Sequence, residues 1–182
     1  LAGHGVHSLR ASLVVEPSPQ GTAGAIRMIA PHVRSDTILV VNGDTLVESD
    51  LCTFLAAHRD SGAPASLLCA SMPDTGRYGR VEVCENGRIV RFIEKDAAGV
   101  SGIVSAGVYF LEREMVEHIQ RMSGSSLERD IFAALPPKTL YAFTGECLFI
   151  DIGTAEGLAD AQRHVKPTRS PDPTFLGTLD KR

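Results

Sequence analysis

The sequence predicts an α/β fold in which mostly parallel strands form a sheet with helices on both faces. From Ser12 to Ala70, patterns typical of strands and of helices alternate, as they do in βαβ units. The apolar run Ile38–Val41 ends in a small turn with one acid, Asp44, which is typical of a buried parallel strand that reaches the edge of a sheet. Farther along, Asn86-Gly87 stands between two alternating runs, which predicts an added β-hairpin.

Hydrophobic periodicity and capping residues define the elements of the first part of the chain. Thr22 is expected to cap a first helix, whose apolar residues recur at helical spacing. Ser49-Asp50 caps a second helix, and Gly62 ends it. The strands predicted in this part are Ser12–Glu16, Thr37–Val41 and Ala65–Ala70.

The second part of the chain contains the hairpin, further strands and three helices. Asn86-Gly87 favours a type I′ turn, which needs positive φ at both residues. Ser125-x-x-Glu128 is a capping box that starts a short helix at Leu127–Leu135, and Thr154 caps a last helix that ends near His164. A third helix turns four apolar side chains inward: Met115, Val116, Ile119 and Met122. The predicted strands are Val81–Cys84, Ile89–Phe92, Ile103–Leu111, Thr139–Phe143 and Cys147–Asp151.

Length and composition are those of one globular domain. The chain has 182 residues, of which 43% are hydrophobic and 22% are charged. We assign residues 1–164 to the domain, and residues 165–182, which are rich in proline and polar side chains, to a flexible tail. The net charge of −4 argues against a nucleic-acid partner. Because no run of 18 apolar residues occurs, we expect no membrane span.

The cysteines and the start of the chain favour a cytoplasmic location. None of the four cysteines belongs to a Cys-x-x-Cys motif, so we expect reduced thiols. The first residues lack the pattern of a secretion signal. The six histidines show no metal-ligand spacing, and His58, on an apolar helix face, is expected to be packed rather than catalytic.

Two acids that follow predicted strands are the strongest candidates for chemistry. Asp44 follows Ile38–Val41 after a short turn, and Asp151 ends an apolar strand just before Gly153-Thr154. Ligands of open α/β sheets bind outside the carboxyl ends of the strands. Mg²⁺ takes one or two carboxylates together with substrate phosphate oxygens. The alternative is structural: Asp44 would stabilise a turn, and Asp151 would stand at the entry to a helix.

Four short segments supply further small or polar residues near predicted strand ends. Gly21-Thr22-Ala23-Gly24 enters a helix, where small side chains let a base or a phosphate approach the backbone; a tight structural turn is the alternative. Glu94-Lys95 follows the hairpin, where it would either bind sugar hydroxyls and a phosphate or form a solvated rim. Tyr78-Gly79 and Ser105-Ala106-Gly107 also lie next to strands.

In order and spacing, six motifs resemble those of the sugar-1-phosphate nucleotidyltransferases, from about Glu16 to His164. The motifs are Pro19-Gln20-Gly21-Thr22-Ala23-Gly24-Ala25, Val41-Asn42-Gly43-Asp44-Thr45, Tyr78-Gly79-Arg80-Val81, Phe92-Ile93-Glu94-Lys95, Ser105-Ala106-Gly107-Val108-Tyr109 and Phe149-Ile150-Asp151-Ile152-Gly153-Thr154. With Ser125–Phe132, the chain is most similar to the mannose- or heptose-1-phosphate guanylyltransferase branch.

The resemblance implies a Rossmann-like, GT-A-like nucleotidyltransferase fold: a mixed sheet with helices on both faces and a small added β subregion. It also implies a reaction in which the oxygen of a sugar 1-phosphate attacks the α-phosphorus of a nucleoside triphosphate and pyrophosphate leaves. Asp44 and Asp151 would hold Mg²⁺ as the cofactor, and with Lys95 they would be the catalytic residues. The implied substrate-binding residues are Gly21, Thr22, Gly43, Gly79, Glu94, Lys95, Ala106 and Gly107.

The resemblance also suggests which part of the substrates each segment contacts. Gly21 and its neighbours would pack against the base, while Glu94 would bind sugar hydroxyls and Lys95 the sugar phosphate. Gly79 and the backbone of Ala106-Gly107 would line the sugar pocket. No covalent enzyme intermediate is needed, because positioning and charge neutralisation suffice.

The chain departs from the family pattern at its start. Family members begin with a strand and a glycine-rich loop that contains Gly-Thr-Arg and wraps the triphosphate, whereas this chain starts with Leu1-Ala2-Gly3-His4-Gly5. We therefore expect an N-terminally truncated chain without the first βαβ portion, with weak or no catalysis alone. A complementing partner and a homo-oligomer stay open.

Two functions of other classes also stay open. One is a non-catalytic module that binds a sugar phosphate or a nucleotide. The other is a metal-dependent glycosyltransferase, a class that usually carries Asp-x-Asp where this chain has Asn42-Gly43-Asp44.

Overall fold

A computed structural model of the chain describes residues 12–93 and 100–165. Within these residues, eight strands form a six-stranded sheet and a two-stranded sheet. The strands are β1 (Thr37–Val41), β2 (Thr45–Glu48), β3 (Ala65–Met72), β4 (Arg80–Val83), β5 (Ile89–Ile93), β6 (Gly102–Glu112), β7 (Tyr141–Phe143) and β8 (Leu148–Asp151). The α-helices are α1 (Gly21–Ile29), α2 (Leu51–Ser61), α3 (Arg113–Arg121) and α4 (Ala155–His164), and single helical turns cover Ala30–His32, Leu127–Ile131 and Phe132–Ala134.

Strand β6 is the centre of the six-stranded sheet. One of its edges pairs with β3, and its other edge pairs first with β4 and then with β1. These pairings are antiparallel, whereas β7 joins β3 in parallel. The sheet is therefore mixed and has helices on both faces, which confirms the predicted fold class.

The prediction of mostly parallel strands, with β1 as a buried parallel strand, was wrong. Because β1 and β3 both run antiparallel to β6, they point in the same direction, as the βαβ pattern requires. However, β6 lies between them, so neither strand has a parallel neighbour on that side. Strand β1 is also buried on one face only: Ile38 and Val40 pack against the core, while 54% of Val41 is exposed.

A bulge in β6 coincides with the point where its edge changes neighbours. Leu68 pairs with Val108 and the next residue of β3 pairs with Ser105, so Ala106 and Gly107 are extra in the ladder. Gly107 adopts φ +72°, a conformation that L side chains rarely take. The bulge therefore lies beside the end of β1 and shapes the backbone there.

Hydrophobic clusters cover both faces of the sheet. On one face, α1 and α3 pack together over a cluster that includes Leu67 and Leu111. On the other face, Phe54 of α2 lies 4.8 Å from the ring of Phe110 and 5.2 Å from that of Phe143. Alternate residues of β3 and β6 supply the two faces, as pleating requires.

Several local predictions are confirmed. Asp50 caps α2 by accepting hydrogen bonds from the backbone N–H groups of Cys52 and Thr53, at 2.9 and 3.1 Å. Gly62 ends the same helix at φ +59°, and Thr154 caps α4. Each of these features depends on contacts within a few residues of chain.

His58 is packed, as expected. Its side chain is 1% exposed, and its ring nitrogens form hydrogen bonds with Ser66 Oγ at 2.7 Å and with Glu112 Oε1 at 2.8 Å. It thereby links α2 to β3 and β6.

Other local predictions were wrong. Ser12–Glu16 forms no strand, since none of the described residues pairs with it, and strand β2 was not predicted at all. In the hairpin, only Gly87 has positive φ, at +76°, and its N–H donates to the carbonyl of Cys84, so the turn is not type I′. Thr22 lies inside α1, whose N-cap is Gln20.

The domain boundaries stay a prediction. Residues 166–182 of the expected tail lie outside the described part of the chain, and so does everything before Ser12. The expected absence of a first βαβ portion is therefore not tested. In the described ranges, no helix has the length and apolar character needed to cross a membrane.

Candidate active site

The pairing of β2 with β8 brings the two candidate acids together. Thr45, the residue after Asp44, is the partner of Asp151 in this antiparallel ladder. The N–H of Ile152 donates to the carbonyl of Asp44 at 2.9 Å. A methyl group placed on Gly153 would lie 3.0 Å from Asp151 Oδ1 and 3.9 Å from Asp44 Oδ2. The two carboxylates thus border the same small space.

Both carboxylate oxygens of Asp151 have partners among the described residues. Its Oδ1 accepts a hydrogen bond from the N–H of Gly153 at 2.9 Å, and its Oδ2 lies 3.4 Å from Nη2 of Arg77. The side chain of Arg77 is 54% exposed, so this ion pair contributes little to stability. The guanidinium also lies 6.0 Å from the centre of the Tyr78 ring.

A cavity of about 270 Å³ opens beside these acids. It lies between the end of β1, the loop before β4, the bulge in β6 and the end of β8. The residues that line it are Asn42, Asp44, Thr45, Arg77, Tyr78, Gly79, Ser105, Gly107, Glu128, Phe149 and Asp151. Most of the lining side chains are polar, which suits a ligand rich in hydroxyl and phosphate groups.

Tyr78 forms one wall of the cavity. Its ring meets Phe149 edge-on at a centroid distance of 5.6 Å. Burial raises the pKa of the Tyr78 hydroxyl, and the negative charge of Asp151 raises it further. The phenol therefore stays protonated at neutral pH and can donate a hydrogen bond.

The bulge in β6 forms another part of the cavity wall. The N–H of Asn42 donates to the carbonyl of Gly107 at 2.8 Å, which ties the end of β1 to the bulge. A Cβ atom on Gly107 would lie 2.7 Å from Nδ2 of Asn42, closer than real contacts allow. Glycine is thus required here both by the positive φ and by the space.

Glu128 borders the cavity as well. Its Oε1 accepts a hydrogen bond of 2.5 Å from the hydroxyl of Tyr109, whose side chain is buried. Burial raises the pKa of Tyr109 well above its usual value, and the charge of Glu128 adds to this effect. Tyr109 is therefore the donor and Glu128 the acceptor.

The predicted capping box is wrong in its residues, which explains why Glu128 is available to the cavity. The hydroxyl of Ser126 caps the helical turn by accepting from the N–H of Arg129. The carboxylate of Asp130 accepts from the N–H groups of Ser125 and Ser126. Glu128 has no capping role.

The structure brings together only some of the predicted site residues. Asp44, Asp151, Gly79 and Gly107 line the cavity. Ala106 is fully buried behind it, and Gly43 lies in the β1–β2 turn with open space around its Cα. Glu94 and Lys95 lie outside the described residues.

Gly21 and Thr22 do not line the cavity but pack against the segment that precedes Glu128. Gly21 adopts φ +71°, and a Cβ there would lie 2.5 Å from the carbonyl oxygen of Ser125. The hydroxyl of Thr22 accepts a hydrogen bond from the N–H of Leu127 at 2.8 Å. The segment thus forms the start of α1 and supports the chain before Glu128 from outside the cavity, while its base-binding role stays a prediction.

Sequence reasoning missed five residues of the lining: Asn42, Thr45, Arg77, Glu128 and Phe149. Arg77 directly precedes Tyr78-Gly79, and Asn42 is in the same turn as Asp44, so closeness to residues already singled out was a usable signal. Glu128 was assigned to a helix cap, which is the commoner role of that motif.

The two carboxylates suit a hard divalent cation whose coordination is completed by a bound substrate. No group of three or more His, Cys, Asp or Glu side chains in residues 12–93 and 100–165 could hold a metal by itself. Mg²⁺ is commonly bound by one or two carboxylates, and waters and substrate phosphates supply its other ligands. Asp44 and Asp151 fit that arrangement.

Comparison with known proteins assigns the chain to a family. A family model described as nucleotidyl transferase matches residues 4–167. The mannose-1-phosphate guanylyltransferase of Mycobacterium tuberculosis is 33% identical over 88% of this chain and 46% of its own length. The D-glycero-alpha-D-manno-heptose 1-phosphate guanylyltransferase of Aneurinibacillus thermoaerophilus is 28% identical over 90% of this chain and 71% of its own length.

A solved structure shares the fold. The crystal structure of HddC from Yersinia pseudotuberculosis superimposes with a TM-score of 0.71 and 27% identity, over 84% of this chain and 66% of that one. The same protein has also been solved in complex with GMP-PN. The present chain spans less than half the length of the Mycobacterium relative.

Proposed function

The chain belongs to the nucleotidyl transferase family, and on that premise we propose that it transfers a nucleoside monophosphate from a nucleoside triphosphate to a sugar 1-phosphate, with release of pyrophosphate. The observation that carries the proposal is the convergence of Asp44 and Asp151 at one end of a polar cavity. The names of the two relatives support the choice of reaction.

We propose Mg²⁺ as the cofactor, held by Asp44 and Asp151. When bound, it would neutralise charge on the substrate phosphates. The protein's own contribution is to place the two phosphorylated substrates side by side and to keep water away from the cavity wall where Tyr78 packs on Phe149.

Gly79 and Gly107 leave room for the sugar ring, and Arg77 offers a positive charge beside the acids. Lys95 and Glu94 keep their predicted roles toward the sugar phosphate and the sugar hydroxyls.

The donor we propose is GTP, and the acceptor is a mannose or heptose 1-phosphate. Both curated relatives named above are guanylyltransferases with such acceptors. The base-binding role predicted for Gly21 and Thr22 is part of this proposal, and their segment contacts residues 125–127, next to Glu128 of the cavity lining.

The reaction is proposed to take place in the cytoplasm. All four cysteines are free thiols, which is the state that a reducing compartment maintains. A homo-oligomer stays a prediction that light scattering of the purified protein would test.

Formation of pyrophosphate tests the proposal directly. The purified chain is supplied with Mg²⁺, α-D-mannose 1-phosphate and, in turn, GTP, UTP, CTP, ATP and dTTP, and pyrophosphate is measured by a coupled assay. We expect release that requires the sugar phosphate and is fastest with GTP. Asp44→Asn and Asp151→Asn should each lower kcat at least about a hundredfold, because one metal ligand is lost.

Asp160→Asn is the matched control, since it removes the charge of a surface acid on α4. It should leave the rate unchanged. Binding of GTP and sugar phosphate without any turnover would favour the non-catalytic module instead. Sugar transfer from GDP-mannose without pyrophosphate would favour the glycosyltransferase.

A further inference from the structure

Glu128 is a cavity residue that neither the sequence motifs nor the family resemblance assigned to a substrate. It borders the cavity that also contains Asp44 and Asp151. Ser126 and Asp130 take over the capping of the helical turn, so the carboxylate of Glu128 is not engaged in holding its own backbone. A half-buried carboxylate that does not cap its own helical turn is expected to have other hydrogen-bond partners.

Tyr109 fixes the orientation of this carboxylate. Its buried hydroxyl donates to Oε1 of Glu128 at 2.5 Å. Within residues 12–93 and 100–165, Oε2 has no hydrogen-bond partner. One oxygen is thus held from inside the protein, while the other remains able to accept a hydrogen bond.

The chemistry of the cavity limits what that oxygen can bind. An ionised carboxylate only accepts hydrogen bonds, and it repels phosphate oxygens. The neighbouring lining of Ser105, Gly107 and Gly79 is small or carries a hydroxyl, which leaves room for a ring with hydroxyl groups. The phosphate groups belong near Asp44 and Asp151, where a cation can offset the repulsion.

We infer that Glu128 is a sugar-binding residue, whose carboxylate accepts a hydrogen bond from one hydroxyl of the sugar 1-phosphate. The inference rests on the proposed function, since it names a contact to the acceptor of that reaction. Tyr109 acts through Glu128 as a positioning residue.

The competing explanation is that Glu128 merely holds Tyr109 in the core. Comparison of substrates that lack single hydroxyls separates the two. Equilibrium binding of α-D-mannose 1-phosphate and of its 2-, 3-, 4- and 6-deoxy analogues is measured by calorimetry with Mg²⁺, for the wild type and for Glu128→Gln. This variant keeps the size of the side chain and removes its charge.

We expect Glu128→Gln to weaken binding of mannose 1-phosphate about tenfold or more, as for a hydrogen bond to a charged group. For the one deoxy analogue that lacks the hydroxyl bound by Glu128, the variant and the wild type should have equal affinity, because that hydrogen bond is already missing. Tyr109→Phe keeps the ring in the core and should cause a smaller loss with the same dependence on that one hydroxyl.

Three outcomes would overturn the assignment. They are that Glu128→Gln loses equal affinity for every analogue, that it loses no affinity, and that it loses affinity for GTP in place of the sugar phosphate. Circular dichroism and thermal unfolding of each variant show whether it is folded, and Tyr109→Phe provides a second route if Glu128→Gln is not.

The result is separable from that of the proposed reaction. Pyrophosphate release with a uniform effect of Glu128→Gln would retain the reaction and reject the role of Glu128. A hydroxyl-specific effect on binding without pyrophosphate release would retain the role of Glu128 and reject the reaction. Failure of the wild type to bind any of these sugar phosphates would reject both.

Discussion

The two sheets of this molecule differ in burial and in chemistry. In the six-stranded sheet, β3 and β6 are buried along most of their length between two hydrophobic clusters. The sheet formed by β2 and β8 has four-residue strands that are mostly half-buried, yet it positions both candidate metal ligands. Stability and chemistry are thus placed in different sheets that share one cavity, and substitutions in each should affect different measurements.

The largest expected effect is on the stability of the six-stranded sheet. Phe54→Ala removes a fully buried ring that packs on Phe110 and Phe143. We expect a loss of about 3–5 kcal/mol in the free energy of unfolding, from lost burial and from the cavity left behind. Urea denaturation followed by circular dichroism measures it, with Leu158→Ala on the exposed side of α4 as the control.

If Phe54→Ala were nearly neutral, the six-stranded sheet would not be the main source of stability, and the contrast between the sheets would fail.

The next effect concerns the acids on the small sheet. Gly153→Ala places a methyl group 3.0 Å from Asp151 Oδ1 and 3.9 Å from Asp44 Oδ2, within the space that a metal ion would share. We expect Mg²⁺ affinity to fall about tenfold, as for a modest steric conflict, while the midpoint of urea unfolding changes little. Calorimetric titration with Mg²⁺ in the presence of GTP measures the affinity.

The two acids would be shown to act separately if Gly153→Ala left Mg²⁺ affinity unchanged. A large drop in stability instead would mean that the small sheet is as important to folding as the six-stranded one.

A smaller effect is expected from the ion pair that bridges the cavity. Arg77→Ala removes the guanidinium that lies 3.4 Å from Asp151 Oδ2. Because exposed pairs contribute at most about 1 kcal/mol, we expect Mg²⁺ to bind up to about fivefold more tightly when this competing charge is lost. Titration with Mg²⁺ in the absence of nucleotide tests the prediction, with Arg77→Lys as the variant that keeps the charge. Weaker Mg²⁺ binding by Arg77→Ala would contradict it.

The smallest effect involves the turn that presents Glu128. Hydrogen bonds from Arg129, and then from the backbone N–H groups of Ser126 and Ser125, hold the pKa of Asp130 well below its usual value. A lowered folded-state pKa stabilises the protein above the unfolded-state pKa, near 4, and this contribution is lost as the pH falls through the folded-state value. Wild type should therefore be slightly more stable than Asp130→Asn at pH 7, and the difference should shrink below about pH 4.

Thermal unfolding of the two proteins across that pH range measures the difference. A difference that grows as the pH falls would reverse the assigned role of Asp130.

How well the sequence predicted each element depends on how far away its partners are. The caps at Asp50 and Thr154 and the end of α2 at Gly62 are confirmed, because each involves neighbouring residues only. The pairing of β1 was mispredicted, because its antiparallel neighbour β6 comes from much later in the chain and no local pattern specifies it.

The candidate site shows the same limit. The convergence of Asp44 and Asp151 was expected from acids at strand ends, but the antiparallel ladder that produces it, between β2 and β8, was not. The position of Glu128 beside the cavity was not expected, because its motif matches a helix cap. Only the tertiary structure shows that Asp130 and Ser126 cap this helical turn instead.

The ladder between β2 and β8 also has a consequence for the order of folding. Its register joins Thr45 to Asp151, so it closes a loop of roughly a hundred residues, and such long-range pairing carries a high entropic cost until the intervening chain is compact. During synthesis, Asp44 therefore leaves the ribosome long before its counterpart exists. We therefore expect the acid pair to be assembled only after β3 and β6 have paired and brought the intervening chain together.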